Sequence, residues 1–107
     1  MYKLISIITK PETMSLDEFS HYWRNIHSEL AKKLPGLRRY VQNHISEKLR
    51  ASEQKFQASG FVELWFDSQE AMQQAFSSEI GQQLIADEKN FINQIDAFSV
   101  DEVLIKG

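Results

Sequence analysis

Leu4-Ile5-Ser6-Ile7-Ile8-Thr9 and Phe61-Val62-Glu63-Leu64-Trp65-Phe66 are the two stretches that decide the fold of this chain. Both are rich in β-branched and aromatic residues, and a strand sends alternate side chains to opposite faces of its sheet. A strand with one wet face should alternate apolar and polar residues. These two are apolar on both sides, with Leu4, Ile8, Phe61 and Trp65 in one set and Ile5, Ile7, Val62, Leu64 and Phe66 in the other. Helices of the same chain can cover one face of such a sheet. No spare segment remains for the second face, so a second copy of the chain, packed sheet to sheet, is the expected cover.

Outward from the first strand, Lys10-Pro11-Glu12-Thr13 breaks the extended run and Ser15 with Glu18 forms a capping box. Met14 and Phe19 are spaced as a hydrophobic staple, and Pro35-Gly36 supplies a stop, which predicts a helix from Leu16 to Leu34. Leu37 to Ser46 alternates as a second strand. The charged, unpatterned segment Glu47 to Ala58 reads as a solvated loop that could act as a lid through Phe56. After Phe66, Asp67 and Glu70 form a capping pair for a short helix to Phe76, Ser78 caps a further helix through Asn93, and Phe98 to Ile105 closes the chain as the last strand. The order is β-α-β-β-α-α-β. With the last two helices counted as one broken element, this is the α+β, ferredoxin-like βαββαβ motif, one domain over 1–107, with its helices on one sheet face.

Composition narrows the function. At 107 residues, 42% hydrophobic and 25% charged, the chain can bury one real core. A net charge of −3, with basic and acidic residues interspersed, makes nucleic acid a poor partner. The absence of cysteine removes disulfides, thiolate metal sites and a cysteine nucleophile, and suits a cytoplasmic location. The N-terminal apolar run is too short for a signal peptide or membrane span. The glycines are isolated and His21, His27 and His44 lack ligand spacing, so neither metal nor cofactor is expected.

Chemistry then has few places to sit. On the first helix Phe19, Trp23, Ile26 and Leu30 share a stripe, with His27 about 65° from its centre and Tyr22 on the other flank. A half-buried imidazole there could shift its pKa and still reach a cleft, whereas His21 lies nearly opposite and should be solvated. On the last helix Ile80, Leu84, Glu88, Phe91 and Ile95 share a side, with Asp87 at its edge. A carboxylate brought to such a margin needs a partner, and His27 on the opposing helix is a candidate. His44 belongs to the second strand, on a face that could lie beneath the helices. Tyr22, Tyr40, Trp65, Phe66 and Phe91 are core or pocket wall.

Five blocks of the sequence also resemble a known family. They are Met14-Ser15-Leu16-Asp17-Glu18-Phe19, Tyr22-Trp23-Arg24-Asn25-x-His27, the run from Leu34 to His44, Glu63-Leu64-Trp65-Phe66-Asp67-Ser68, and Ala86-Asp87-Glu88-x-x-Phe91. In this order they are similar to the EthD family, named for ethyl tert-butyl ether degradation, and they span most of the chain outside 47–58. The resemblance implies a dimeric α/β barrel of two ferredoxin-like subunits. Relatives of that architecture include polyketide cyclases, muconolactone-type isomerases, lyases, cofactor-free monooxygenases and haem-binding proteins, so fold alone does not name a reaction. The resemblance favours His27 as the acid–base residue and Asp87 over Glu88 as its partner. The expectation is a cofactor-independent lyase, isomerase or cyclase acting on a small apolar carbonyl or ring compound, with His27, Asp87, Glu88 and His44 as the catalytic set. The alternative is a non-catalytic binder or accessory protein for a hydrophobic metabolite or haem.

Overall fold

The computed structural model describes residues 1–53 and 55–107. Along them run β1 (Tyr2–Thr9), α1 (Leu16–Tyr22), a π turn (Trp23–His27), α2 (Ser28–Ala31), β2 (Arg39–His44), β3 (Gly60–Phe66), α3 (Gln69–Ser77), α4 (Glu79–Glu88) and β4 (Gln94–Val100). The strands form one antiparallel sheet in the order β2-β3-β1-β4, the ferredoxin-like arrangement.

Register fixes the two faces. Leu4, Ser6 and Ile8 pair with Leu64, Val62 and Gly60 on one side and with Ser99, Ala97 and Ile95 on the other. This is the face beneath the helices. Leu64 and Phe66 pack there against Ala31, Leu34, Ala75 and Leu84, while Ile8 packs in a second cluster with Phe19, Trp23 and Phe91. The opposite face carries Lys3, Ile5 and Ile7 beside Trp65, Glu63 and Phe61, with Phe98 across from Ile5. The grouping expected from the sequence is therefore corrected: Phe61 and Trp65 share a face with Ile5 and Ile7, not with Leu4 and Ile8. Two isolated apolar strands do not reveal their relative phase, and the hydrogen-bonded ladder supplies it.

The capping box forms as its spacing requires, with Ser15 Oγ accepting from the Glu18 amide and Glu18 Oε1 accepting from the Ser15 amide, each at 3.0 Å. Gly36 lies in the turn after the helical stretch with a φ of 77°, a conformation that costs side-chain-bearing residues energy. Gly60 serves close approach instead, because a Cβ there would lie 2.5 Å from the Trp23 ring. Several boundaries differ from expectation: the first helical stretch ends at Ala31 rather than Leu34, and β2 covers Arg39–His44 rather than 37–46. Ser68, not Asp67, caps α3 by accepting from the Ala71 amide, since Asp67 is held by Arg38 at 2.8 Å. Helix α4 ends at Glu88, where the amides of Phe91 and Ile92 turn back onto the Glu88 carbonyl. The last strand occupies Gln94–Val100 rather than 98–105, because the Asn93 amide bonds the Thr9 carbonyl and starts the ladder with β1 there. Val103, Leu104 and Ile105 are left exposed.

The π turn matters most for the site. It inserts one extra residue, so the buried stripe runs Phe19, Trp23, His27, Ala31 and Leu34 instead of continuing through Ile26. Ile26 is 48% exposed and His27 only 8%. The imidazole thus sits at the centre of the buried face and not at its edge.

Candidate active site

His27 enters the space between the helical layer and the sheet from the end of the π turn, and α4 meets it from across the layer. Its Nδ1 lies 2.8 Å from Asp87 Oδ2. The other carboxylate oxygen, Oδ1, accepts from the Tyr22 hydroxyl at 2.6 Å and from Asn90 Nδ2 at 2.8 Å. Phe91 packs on the imidazole at 4.6 Å between centroids and on Tyr22 at 5.1 Å. The helix end that presents Asp87 also presents Asn90 one turn on, so one short segment supplies the carboxylate and a donor that holds it.

The electrostatics follow from this packing. Burial lowers the His27 pKa below its ordinary 6.5, outweighing the Asp87 hydrogen bond and charge, which push it up. Burial alone would raise the Asp87 pKa, but donors from Tyr22, Asn90 and His27 together hold it below the ordinary carboxylate value. Burial, reinforced by Asp87, raises that of Tyr22. A neutral imidazole beside an ionised carboxylate carries its proton on Nδ1 and donates it to Asp87, leaving Nε2 a lone-pair acceptor. No hydrogen bond to Nε2 occurs among the described residues.

Beside His27 lies a cavity of about 440 Å³, walled largely by apolar groups including Leu4, Ile8, Trp23, Val62, Leu64, Leu84 and Ile92. Its polar wall groups are Ser6, His27, Tyr40 and Glu88. The Tyr40 hydroxyl accepts from Gln42 Nε2 at 2.6 Å. Burial raises its pKa against the opposing donors Gln42 and Trp23. Those contacts use the phenolic oxygen as acceptor, and no protein group accepts its proton among the described residues. Glu88 is half-buried, and burial raises its pKa. It has no hydrogen-bond or ion-pair partner among the described residues.

The structure sorts the other expected residues. Trp65 lies on the opposite sheet face, stacked between Lys3 and Arg39 at 4.5 and 4.6 Å, and cannot wall the cavity. Phe66 is sealed in the core against Phe76, while Phe91 and Tyr22 support the His27–Asp87 pair rather than line the cavity. His44 lies on the helix side, stacked on Trp23 at 4.3 Å with Nε2 2.8 Å from Gln42 Oε1, outside the cavity wall. His21 is exposed, as expected. Phe56 borders a separate groove with Lys55 and Asp96 and does not cover the cavity. Sequence reasoning missed Asn90 and Gln42. Both were within reach: Asn90 is three residues from Asp87, and Gln42 alternates with Tyr40 and His44 on one strand face. Among the described residues no three His, Asp or Glu side chains gather as metal ligands, and no helix is long and apolar enough to cross a membrane.

The chain is similar in sequence and fold to known proteins. The 4-carboxymethyl-4-methylbutenolide mutase of Pseudomonas reinekei is 25% identical over 108 residues, spanning 97% of this chain and all of that enzyme. The crystal structure of an ethyl tert-butyl ether degradation (EthD) family protein from Bacillus halodurans superposes with a TM-score of 0.78 at 25% identity, over 96% of this chain and all of that one. A dimeric ferredoxin-like protein of unknown function from Thermobifida fusca shares the fold alone, with a TM-score of 0.69 at 13% identity over 92% of this chain and 88% of its own. Residues 11–95, which carry the π turn, His27, Tyr40 and Asp87, match the EthD domain, and the chain belongs to that family.

Proposed function

We propose that this protein is an isomerase-type enzyme that moves a proton within a small, largely apolar carbonyl compound without a cofactor. The observation that carries the proposal is the His27 imidazole, bonded through Nδ1 to Asp87 at 2.8 Å, without a hydrogen bond to Nε2 among the described residues, in the wall of a 440 Å³ apolar cavity. That arrangement suits a general base whose tautomer is fixed from behind. In the step envisaged, Nε2 takes a proton from the carbon next to a carbonyl, and the carbon–hydrogen electron pair delocalises onto the carbonyl oxygen. The Tyr40 hydroxyl, itself held by Gln42, is the donor for that oxygen. Asp87 stabilises the imidazolium, which returns the proton to a second carbon and regenerates the starting state. The mutase relative supports the reaction class, as its name denotes an intramolecular rearrangement of a butenolide.

The experiment is hydrogen–deuterium exchange followed by NMR in heavy water, with a panel of methyl-substituted butenolides and β,γ-unsaturated cyclic ketones. The expected result is deuterium incorporation at the α-carbon, lost in His27→Ala. Binding without exchange in any of them would favour a non-catalytic carrier instead.

The same reading includes a homodimer through the open sheet face. Ile5, Ile7, Phe61, Trp65 and Phe98 form an apolar surface there, Phe98 being 53% exposed in the single chain. The Thermobifida fusca neighbour is described as dimeric, which supports it. Sedimentation of a dilute sample should give a dimer, and Phe98→Asp should shift it to monomer.

A further inference from the structure

Glu88 is the one acidic group of the cavity wall, and the mechanism proposed above does not use it. It sits at the C-terminal end of α4, half-buried, with Ile92 and Ile95 also in the wall. Its neighbour Asp87, by contrast, is held by three donors. Glu88 has no protein donor at all among the described residues. A half-buried carboxylate left in that condition accepts hydrogen bonds from water or from whatever enters.

Among the described residues no positive charge opposes it. Ser6, His27 and Tyr40 complete the polar wall, and none is a lysine or arginine. Lys89, next in sequence, is exposed and outside the wall. The His27 imidazole is neutral and already committed to Asp87. The C-terminal end of α4 adds the negative pole of its backbone dipoles. Glu88, Asp87 and the helix terminus therefore contribute potential of one sign, in a site where apolar walls weaken solvent screening.

We propose that Glu88 sets the charge and the handle of the substrate: the cavity admits an uncharged molecule that presents a hydroxyl group, phenolic or enolic, to Glu88, and turns away carboxylates. The proposal rests on reading this cavity as the reaction site, and it separates this protein from an enzyme whose substrate is an acid. The carbonyl end would then lie toward His27 and Tyr40 and the hydroxyl end toward Glu88, giving one orientation for an otherwise featureless apolar body.

The test uses three probes of one shape, 4-ethylphenol, 4-ethylanisole and 4-ethylbenzoate, titrated into the intact protein and followed by calorimetry and Trp fluorescence. Near pH 8 the benzoate is ionised while the phenol is neutral. The phenol is expected to bind most tightly. The anisole, which lacks the donor, should bind about 10-fold less well. The benzoate should be weaker by about 10-fold or more, because it meets a like charge and no cation. In Glu88→Gln the gap between phenol and benzoate should close, and in Glu88→Lys the order should reverse. Equal binding of phenol and benzoate by the native protein overturns the proposal without recourse to any variant. So does an unchanged ranking in a folded Glu88→Gln, or failure of the phenol to bind. His27→Ala should keep the ranking. Loss of the exchange reading with the ranking intact would sink catalysis alone, whereas exchange activity with no ranking would sink the role of Glu88 alone.

Discussion

The two buried or half-buried histidines, His27 and His44, differ in the one respect that decides chemistry. Both have pKa values lowered first by burial, both pack on an aromatic ring, and both have one ring nitrogen in a hydrogen bond of 2.8 Å. At His27 the partner is an ionised carboxylate, the other nitrogen has no hydrogen bond among the described residues, and the residue lines a cavity. At His44 the partner is the Gln42 amide oxygen, Nδ1 is sealed in without a partner among the described residues, and the charge of Arg24 further opposes protonation. A desolvated imidazole is therefore not enough for acid–base work. It needs a group that stabilises its charged form and a space in which a proton can be exchanged.

The largest effect that could break this comparison is on turnover. Loss of a positioned acid–base group typically costs about 10²–10⁴-fold in rate, so His27→Ala should lower kcat/KM on an exchanging compound by that much and leave the fold intact. His44→Ala measured beside it should not approach that loss. Equal losses would mean that the cavity and carboxylate at His27 are incidental.

Asp87 comes next. A hydrogen bond to a charged group is worth about 1.5–3 kcal/mol, so Asp87→Asn should reduce kcat/KM by roughly 10- to 100-fold. The pH profile gives the sign. The base form of His27 is needed, so activity should fall as pH drops through a midpoint below the ordinary 6.5. Asp87 pushes that pKa up, against burial, and its neutralisation should move the acid limb to still lower pH. A limb that moved upward would contradict the assignment of Asp87 as the stabilising charge.

How much of this was legible in the sequence follows the range of the forces involved. The capping box at Ser15 and Glu18, the stop at Pro35-Gly36 and the doubly apolar strands were readable because each rests on residues a few positions apart. The sequence places His27 at the edge of its helix stripe rather than at the centre, because a π turn is a backbone event with no side-chain signature of its own. One hint was available: Ala31 and Leu34 resume the apolar spacing one residue late after Phe19 and Trp23. The pairing of His27 with Asp87 spans 60 positions and depended on helix packing that periodicity suggests but cannot orient. Trp65 was placed on the wrong face for the same reason as Phe61: phase between strands comes from the ladder, not from either strand alone. The last strand is not legible locally, because Val103, Leu104 and Ile105 look more apolar than Gln94-Ile95-Asp96, yet the ladder with β1 starts at Asn93.

Tyr22 sharpens the comparison at smaller scale, since it touches the carboxylate and not the imidazole. Tyr22→Phe keeps the ring on Phe91 and removes one donor to Asp87, with Asn90 still in place. The Asp87 pKa should rise, because the Tyr22 hydrogen bond lowers it, and kcat/KM should drop by about 2- to 10-fold, the worth of one ordinary hydrogen bond. An effect as large as that of Asp87→Asn would instead make Tyr22 a participant in the chemistry.

The smallest effect belongs to His44, and it is read in stability rather than rate. His44→Leu loses the stacking on Trp23, about 0.5–1.5 kcal/mol, and the Gln42 bond, about 1 kcal/mol. It also removes the unpartnered Nδ1, whose burial costs about 1–3 kcal/mol. The two sides nearly cancel, so near pH 8 the variant should unfold within about 1 kcal/mol of the native protein, with kcat/KM within about twofold. Acid separates them. Because the folded pKa of His44 is depressed, the unfolded chain binds more protons below the ordinary 6.5, and its contribution to stability is complete above that value and is lost as pH falls toward the folded pKa. Denaturant melts at successive pH values should therefore show a shallower acid loss in His44→Leu than in the native protein. If that loss were steeper, or if turnover fell as it should in His27→Ala, the second histidine would belong to the site and the distinction between the two would fail.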